Sequence, residues 1–178
     1  MPYWGMSRRL YLQELCNKYG DFKVAKAYKV EDGSLRWTKH RSVMECWHSE
    51  DGLRFLDNIN NRQGLTDEVR LDLDPDKDMC KEDIDKWFNE VCDFLDSINF
   101  KYTGWFTGSR SYHIHFFISG YSLHKRSYDK HLYQLFRKFN AETTKLSIAS
   151  MLTLEWSPNN KTGKLKSPVR GDFTCPIR

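Results

Sequence analysis

A chain of 178 residues, 39% hydrophobic and 15% aromatic, has enough apolar surface to offset the entropy of ordering one domain, which excludes a disordered polypeptide. The formal net charge of +4 fits contact with phosphates without selecting it, because proteins with many other partners carry as much. Five cysteines (Cys16, Cys46, Cys80, Cys92, Cys175) without a CxxC pair, no signal-peptide core and no apolar run of the roughly 20 residues a membrane span needs predict a soluble, intracellular (cytoplasmic) protein with reduced thiols.

In chain order, SRRLYLQELCNKY (7–19) has apolar groups at helical spacing and a glycine stop at Gly20, which predicts a helix. FKVAKAYKV (22–30) alternates apolar with basic residues, EDGS turns, and LRW returns: a hairpin with Lys23, Lys26 and Lys29 on its outer face. SEDGLRFLDNINN (49–61) opens on an N-cap serine and predicts a short helix, followed by the strand EVRLDLD (68–74). EDIDKWFNEVCDFLDSI (82–98) places Ile84, Trp87, Phe88, Val91, Phe94, Leu95 and Ile98 on one stripe, the pattern of a helix packed on a sheet. KYTGWFTGSRSYHIHFFISG (101–120) reads as two strands joined by a Gly/Ser turn, and SYDKHLYQLFRKFN (127–140) as a helix. MLTLEW (151–156) and KLKSPVRG (164–171) read as a last β region. The expected fold is α+β, with mixed, mostly antiparallel sheets covered by helices in a single domain (1–178). Residues 1–65 would form an N-terminal α/β module and 66–178 a motif-bearing module.

Side chains two apart on a strand share a face, so Asp72 and Asp74 look into one space while Leu71 and Leu73 face the core. Two unpaired carboxylates so close repel, and one takes up a proton unless a cation sits between them. Hard oxygen ligands of this kind select magnesium or manganese, and a pair of such ions suits phosphoryl transfer. Solvated acids on an exposed edge strand are the alternative. In TGSRSYHIH (107–115), the turn around Gly108 leaves backbone N–H groups free for an anion, and Thr107, Ser109, Arg110 and Ser111 add donors. His113 and His115 then share one strand face opposite Tyr112, Ile114 and Phe116. In LTLEWSPNNKTGKLKSPVRG (152–171), Glu155 is followed by Asn159, Asn160, Lys161, Ser167 and Arg170, one acid with several phosphate donors.

Together these segments resemble the archaeo-eukaryotic primase superfamily, whose motifs run hDhD, a small-residue turn ending in His, and a hydrophobic residue plus an acid. They occur here in that order as LDLD, TGSRSYH and LE. The likeness is strongest to the polymerase domain of bacterial ligase D, which has DLDP and a third motif similar to EWSPNN, and it covers roughly residues 68–172. It implies an RRM-like catalytic core and metal ligation (Mg²⁺ or Mn²⁺) by Asp72, Asp74 and Glu155. His113 would be catalytic, binding the nucleotide triphosphate with Thr107, Gly108, Ser109, Arg110 and Ser111, while Asn160, Lys161 and Arg170 assist. The implied activity is template-dependent nucleotidyl transfer. The implied partners are a single-stranded or primed DNA template, nucleoside triphosphates, and a helicase, ligase or large primase subunit. Thr107 and Ser111 stand where the family usually has Ser and Gly, and Glu155 replaces the usual Asp. A second register, that of cellular primase small subunits, places the third acid nearer Ala141 or Glu142.

Lys39, Arg41 and Lys166 join the hairpin lysines as candidate template contacts, with Trp37 or Trp156 as stacking surfaces. Two competing readings remain open here. HIH followed by a helix with Tyr128 and Tyr133 also resembles nicking replication initiators, in which two histidines hold a metal and a tyrosine attacks a phosphate. A nucleic-acid-binding module without catalysis is the other. Cys46, His48, Cys80 and Cys92 lack the spacing of a zinc site.

Overall fold

The computed structural model describes residues 7–118, 129–147 and 149–173. Ser7 starts α1 (Arg8–Tyr19) by accepting from the Leu10 N–H, and Gly20, at φ 81°, ends it by donating to the Cys16 carbonyl. The stretch expected as one hairpin strand divides into β1 (Lys23–Ala25) and β2 (Ala27–Lys29). β2 pairs with β3 (Leu35–Trp37), while β1 enters a larger sheet beside β4 (Arg41–Ser42). Lys23 and Lys29 are exposed and Lys26 is half-buried. Next come α2 (Val43–Cys46), α3 (Glu50–Asn58), β5 (Asn61–Arg62) and β6 (Glu68–Leu73). The Ser49 side chain caps α3 by accepting from the Gly52 N–H at 3.0 Å. α4 (Lys81–Ser97), β7 (Thr103–Phe106), β8 (Tyr112–Phe117), α5 (Lys130–Lys138), a 3-10 turn (Thr143–Leu146), β9 (Leu152–Thr153) and β10 (Ser167–Gly171) complete the order.

The strands form one sheet in the order β4-β1-β5-β9 and a second in the order β10-β7-β8-β6, with the β2–β3 hairpin apart. Among the described residues every strand pair is antiparallel, so the fold is α+β. Two apolar clusters hold it. Val69, Leu71, Leu73, Tyr112, Ile114 and Phe116 from the second sheet pack against Ile84, Phe88, Val91 and Leu95 of α4 and Leu132 and Phe136 of α5. Ile98, expected on the buried stripe of α4, is 53% exposed, because the helix ends at Ser97 and Ile98 is its cap. The other cluster joins Leu12 and Leu15 of α1, Val24 of β1 and Leu56 of α3 to Leu154. β9 thus brings residues of the C-terminal region into the sheet built by the first 65, so the sheet crosses the sequence division at 65/66.

β6 is buried on both faces. Its odd positions serve the apolar core, and its even positions, Glu68, Arg70 and Asp72, form a buried polar face. A solvated edge is therefore excluded for Asp72. The backbone edge beside it is covered too, since the Glu142 N–H donates to the Asp72 carbonyl at 3.0 Å. Among the described residues no helix is long and apolar enough to cross a membrane.

Candidate functional site

β6 and β8 pair with Asp72 opposite His113 and Arg70 opposite His115, so the alternation read from the sequence holds in space. His113 Nε2 lies 3.5 Å from Asp72 Oδ1. The imidazole is buried and its Nδ1 has no hydrogen-bond partner. Burial, with Lys166 and His115 nearby, pushes His113 well below 6.5 and keeps it neutral. Burial likewise pushes Asp72 up to about 7, opposed by the Lys145 ammonium and reinforced by Glu142 and Asp74. A carboxyl in this position is protonated in a substantial fraction near neutral pH, and a cation beside it favours the ionised form.

A cavity of about 460 Å³ opens over this pair. Of the residues singled out from the sequence, it brings together Asp72, Asp74, His113, Ser109, Arg110, Ser111, Asn160 and Lys161. Asp74, just beyond the end of β6, is exposed. Lys77, Glu142, Lys145 and Trp37 complete the working surface, so four cations (Lys77, Arg110, Lys145, Lys161) face three carboxylates.

The basic turn is built by its neighbours. The buried Thr107 hydroxyl bonds the Ser111 carbonyl at 2.9 Å and closes the turn instead of facing the cavity. Gly108 sits at φ 85°, where a side chain is strained, and a Cβ there would lie 2.4 Å from the Lys164 carbonyl oxygen. Asn159 Nδ2 donates to the Thr107 carbonyl and the Thr162 hydroxyl to the Gly108 carbonyl, so the loop before β10 clasps the turn. Asn160 Oδ1 in turn accepts from Asn60 Nδ2. Arg110 donates to the carbonyls of Asp76, Lys77 and Met79 at 3.1, 3.0 and 2.7 Å, tying the turn to the loop after β6.

Two expected site residues lie elsewhere. The chain leaves β9 at Thr153 and turns at Trp156, whose φ of 59° is rare for a bulky residue, and this carries Glu155 between the sheets instead of along a strand. There Arg62 donates to both Glu155 oxygens (2.9 and 2.7 Å) and both Glu68 oxygens (2.7 Å each). Lys166 Nζ lies 3.7 Å from Glu155, 3.2 Å from His115 Nε2 and 2.8 Å from the Thr153 carbonyl. Burial opposes the Glu155 charge, but Arg62 and Lys166 outweigh it and hold the carboxyl at about 2. Burial lowers Lys166 to about 8 and, with Lys166 adjacent, His115 to about 4. Ligand atoms of Glu68, His115 and Glu155 lie within 4.8 Å of one another, close enough to share a metal, yet the cation between these carboxylates is the Arg62 guanidinium. Glu155 is therefore not brought to Asp72 and Asp74; the third acid lining their cavity is Glu142. Arg170 also leaves the site: it bonds Asp93 and Asp96 at 2.6 Å each and Asn89 at 3.1 Å, fastening β10 to α4.

The histidine pair is not jointly available to a metal, because His115 Nδ1 is 2.9 Å from Glu68 and its Nε2 faces Lys166. Tyr133 is exposed on α5, and Tyr128 lies outside the described residues. Cys46 and Cys92 sit in different apolar clusters and Cys80 is exposed, so these thiols do not converge; Cys175 lies outside the described residues. Arg62, Glu68 and Lys145 were not foreseen. Their only signal was charge within apolar or short polar stretches, which reads equally as solvated surface.

No protein-family model and no curated protein matches the chain. Among solved structures it is similar to the polymerase domain of Mycobacterium tuberculosis ligase D in complex with DNA, with a TM-score of 0.58 and 12% identity over 92% of this chain and 78% of that one. It is also similar to the AEP domain of the primase-polymerase of cyanophage S-2L (TM-score 0.55, 13% identity, 92% and 88% covered). Primase RepB′ matches with a TM-score of 0.50 and 10% identity over 92% of this chain and 56% of that one. The chain has the archaeo-eukaryotic primase-polymerase fold.

Proposed function

From this fold, we propose that the chain is a template-dependent nucleotidyltransferase, a primase-polymerase, acting in the Asp72–Asp74 cavity. The observation that carries the reading is the meeting of these carboxylates with His113, the 109–111 turn and four cations in one cavity of about 460 Å³. Asp72 and Asp74 supply hard oxygen donors that fit Mg²⁺ or Mn²⁺, and burial raises the proton affinity of Asp72, a cost that a bound cation would offset. Asp72 and Asp74 would hold such ions, whose chemistry there would be to lower the pKa of a primer 3′-hydroxyl and to neutralise a leaving pyrophosphate.

The remaining work falls to the chain's own groups. Lys77, Arg110 and Lys161 neutralise a triphosphate, and the Ser109 and Ser111 hydroxyls orient it. Neutral His113, which lines the cavity and whose Nδ1 has no partner, is the imidazole that would bond a phosphate or its bridging water. Arg110 already holds the loop after β6, so it positions both sides of the cavity at once. Trp37, 46% exposed at the cavity mouth, gives a base a stacking surface, and Lys23, Lys26 and Lys29 meet template phosphates.

The test presents an unprimed and a primed single-stranded template side by side, with labelled ribo- or deoxynucleotides and Mg²⁺ or Mn²⁺. Products whose length and composition follow the template are expected. Their absence with every combination overturns the proposal.

A further inference from the structure

Strand alternation on β5 sends the Arg62 side chain into the buried ion cluster and leaves Asn61, 3% exposed, in the wall of the cavity. Across the strand pair Asn61 faces Thr153 of β9, which lines the same cavity. The orientation of the Asn61 amide is dictated by Asn60. The Asn60 side chain docks on the backbone of Ala27 as a strand neighbour does: its Oδ1 accepts from the Ala27 N–H at 2.8 Å and its Nδ2 donates to the Ala27 carbonyl at 2.9 Å. The Asn60 atom that Asn61 meets at 2.7 Å is therefore an acceptor, and Asn61 must turn its Nδ2 to it. That leaves Asn61 Oδ1 as a buried acceptor without a hydrogen-bond partner among the described residues, and the Thr153 hydroxyl has none there either.

The ligand such a wall selects follows from what a nucleotide can donate. Phosphate oxygens only accept, and the bases differ in their donors while a template-dependent enzyme takes them all. The sugar hydroxyls are the donors that different nucleotides share, and each can also accept from Thr153. The hydrogen-bonded chain runs in the order of a nucleotide. Ala27 pairs with Trp37, the stacking surface for a base; Asn60 joins Ala27 to Asn61 and Asn160; and Asn159 ties that loop to the basic turn through the Thr107 carbonyl.

We propose that Asn61, backed by Thr153, is the residue by which this site reads the sugar of the nucleotide: Asn61 Oδ1 accepts from a 2′- or 3′-hydroxyl, and Asn60 is the positioning residue that keeps this carbonyl turned to the cavity. The inference rests on the nucleotide-binding role proposed for the cavity. A ligand without the hydroxyl leaves the buried acceptor unpaired and loses affinity about tenfold.

Isothermal titration calorimetry with Mg²⁺ and without primer tests it, comparing ATP with its 2′-deoxy, 3′-deoxy and 2′,3′-dideoxy forms. The parent should bind the dideoxy form about tenfold more weakly than ATP, and the singly deoxygenated form that shares the loss identifies the hydroxyl. Asn61→Leu and Thr153→Val should each bring the ATP and dideoxy affinities together. Asn60→Asp, which keeps the acceptor that orients Asn61, should retain the difference, and Asn60→Ala should reduce it, a split that a merely structural role would not produce. Far-UV circular dichroism confirms that each variant is folded. Equal affinities of the parent for all four forms, or a loss in Asn61→Leu shared equally by all four, overturns the proposal. A loss that follows the base when the comparison is repeated with UTP overturns it too. A parent that binds none of them overturns the functional assignment itself, and the inference with it.

Discussion

Replacing Asp72 by Asn, a side chain of the same shape that cannot ionise, should stabilise the metal-free protein at pH 8 and leave it unchanged near pH 3. Burial raises this carboxyl from 3.8 to about 7. At 1.36 kcal/mol per tenfold change in proton affinity, keeping it ionised in the folded state costs on the order of 4 kcal/mol. Below pH 3.8 the group is protonated folded and unfolded, and nothing is lost. Between that value and about 7 the folded chain binds more protons than the unfolded one, so stability falls as pH rises, and above about 7 the loss is complete. Local relaxation reduces the figure, so a gain of about 2 kcal/mol at pH 8 is expected for Asp72→Asn, a rise in Tm of roughly 4–8 °C for a chain of this length. The assay is thermal unfolding followed by circular dichroism in EDTA at pH 3, 6 and 8. Added Mn²⁺ should raise the Tm of the parent and not that of the variant. A gain of equal size at pH 3 and pH 8, or a loss at pH 8, refutes the reasoning.

Arg62→Met should cost about 3–5 kcal/mol in urea denaturation, because it strands the buried Glu68 and Glu155 carboxylates without their shared cation. Gly108→Ala forces a Cβ to 2.4 Å from the Lys164 carbonyl at a positive φ. It should cost roughly 1–3 kcal/mol and raise the nucleotide KM by opening the clasped turn, as checked by unfolding and steady-state kinetics. Lys161→Ala should raise the nucleotide KM several-fold. Arg170→Ala, removing a partly exposed tie between β10 and α4, should leave KM unchanged and lower Tm slightly, measured in the same assays.

The half of the site that obeys a period of two was legible. Leu71 and Leu73 against Asp72, and Ile114 and Phe116 against His113, announced which face was core, and the strand register carried that into space. Turn residues were legible as a turn, but not their division of labour: Ser109 and Ser111 face the cavity while Thr107 is spent on closing it. Glu155 was misplaced because a local pattern, LTLEW, reads as a strand. The chain instead turns at Trp156 to satisfy Arg62, a partner far away in sequence. Arg170 failed for the same reason in reverse, since its partners Asp93 and Asp96 looked like the solvated face of α4. Glu142 could be reached only through the second motif register, because nothing local says that the segment after α5 returns to the edge of β6. Ion pairs made across the fold leave no periodic signal, and here they decide which acids are structural and which face the cavity.

The central claim, that nucleotides are joined on the Asp72–Asp74 side of this cavity, is tested most directly by extension of a labelled primer on templates differing only in the first unpaired base. With Mn²⁺, the parent should add the complementary nucleotide in each case. The Asp72→Asn, Asp74→Asn variant, folded and still able to bind the primer–template, should add none. Extension by that variant at the parent's rate, or addition by the parent that ignores the template base, would contradict the account.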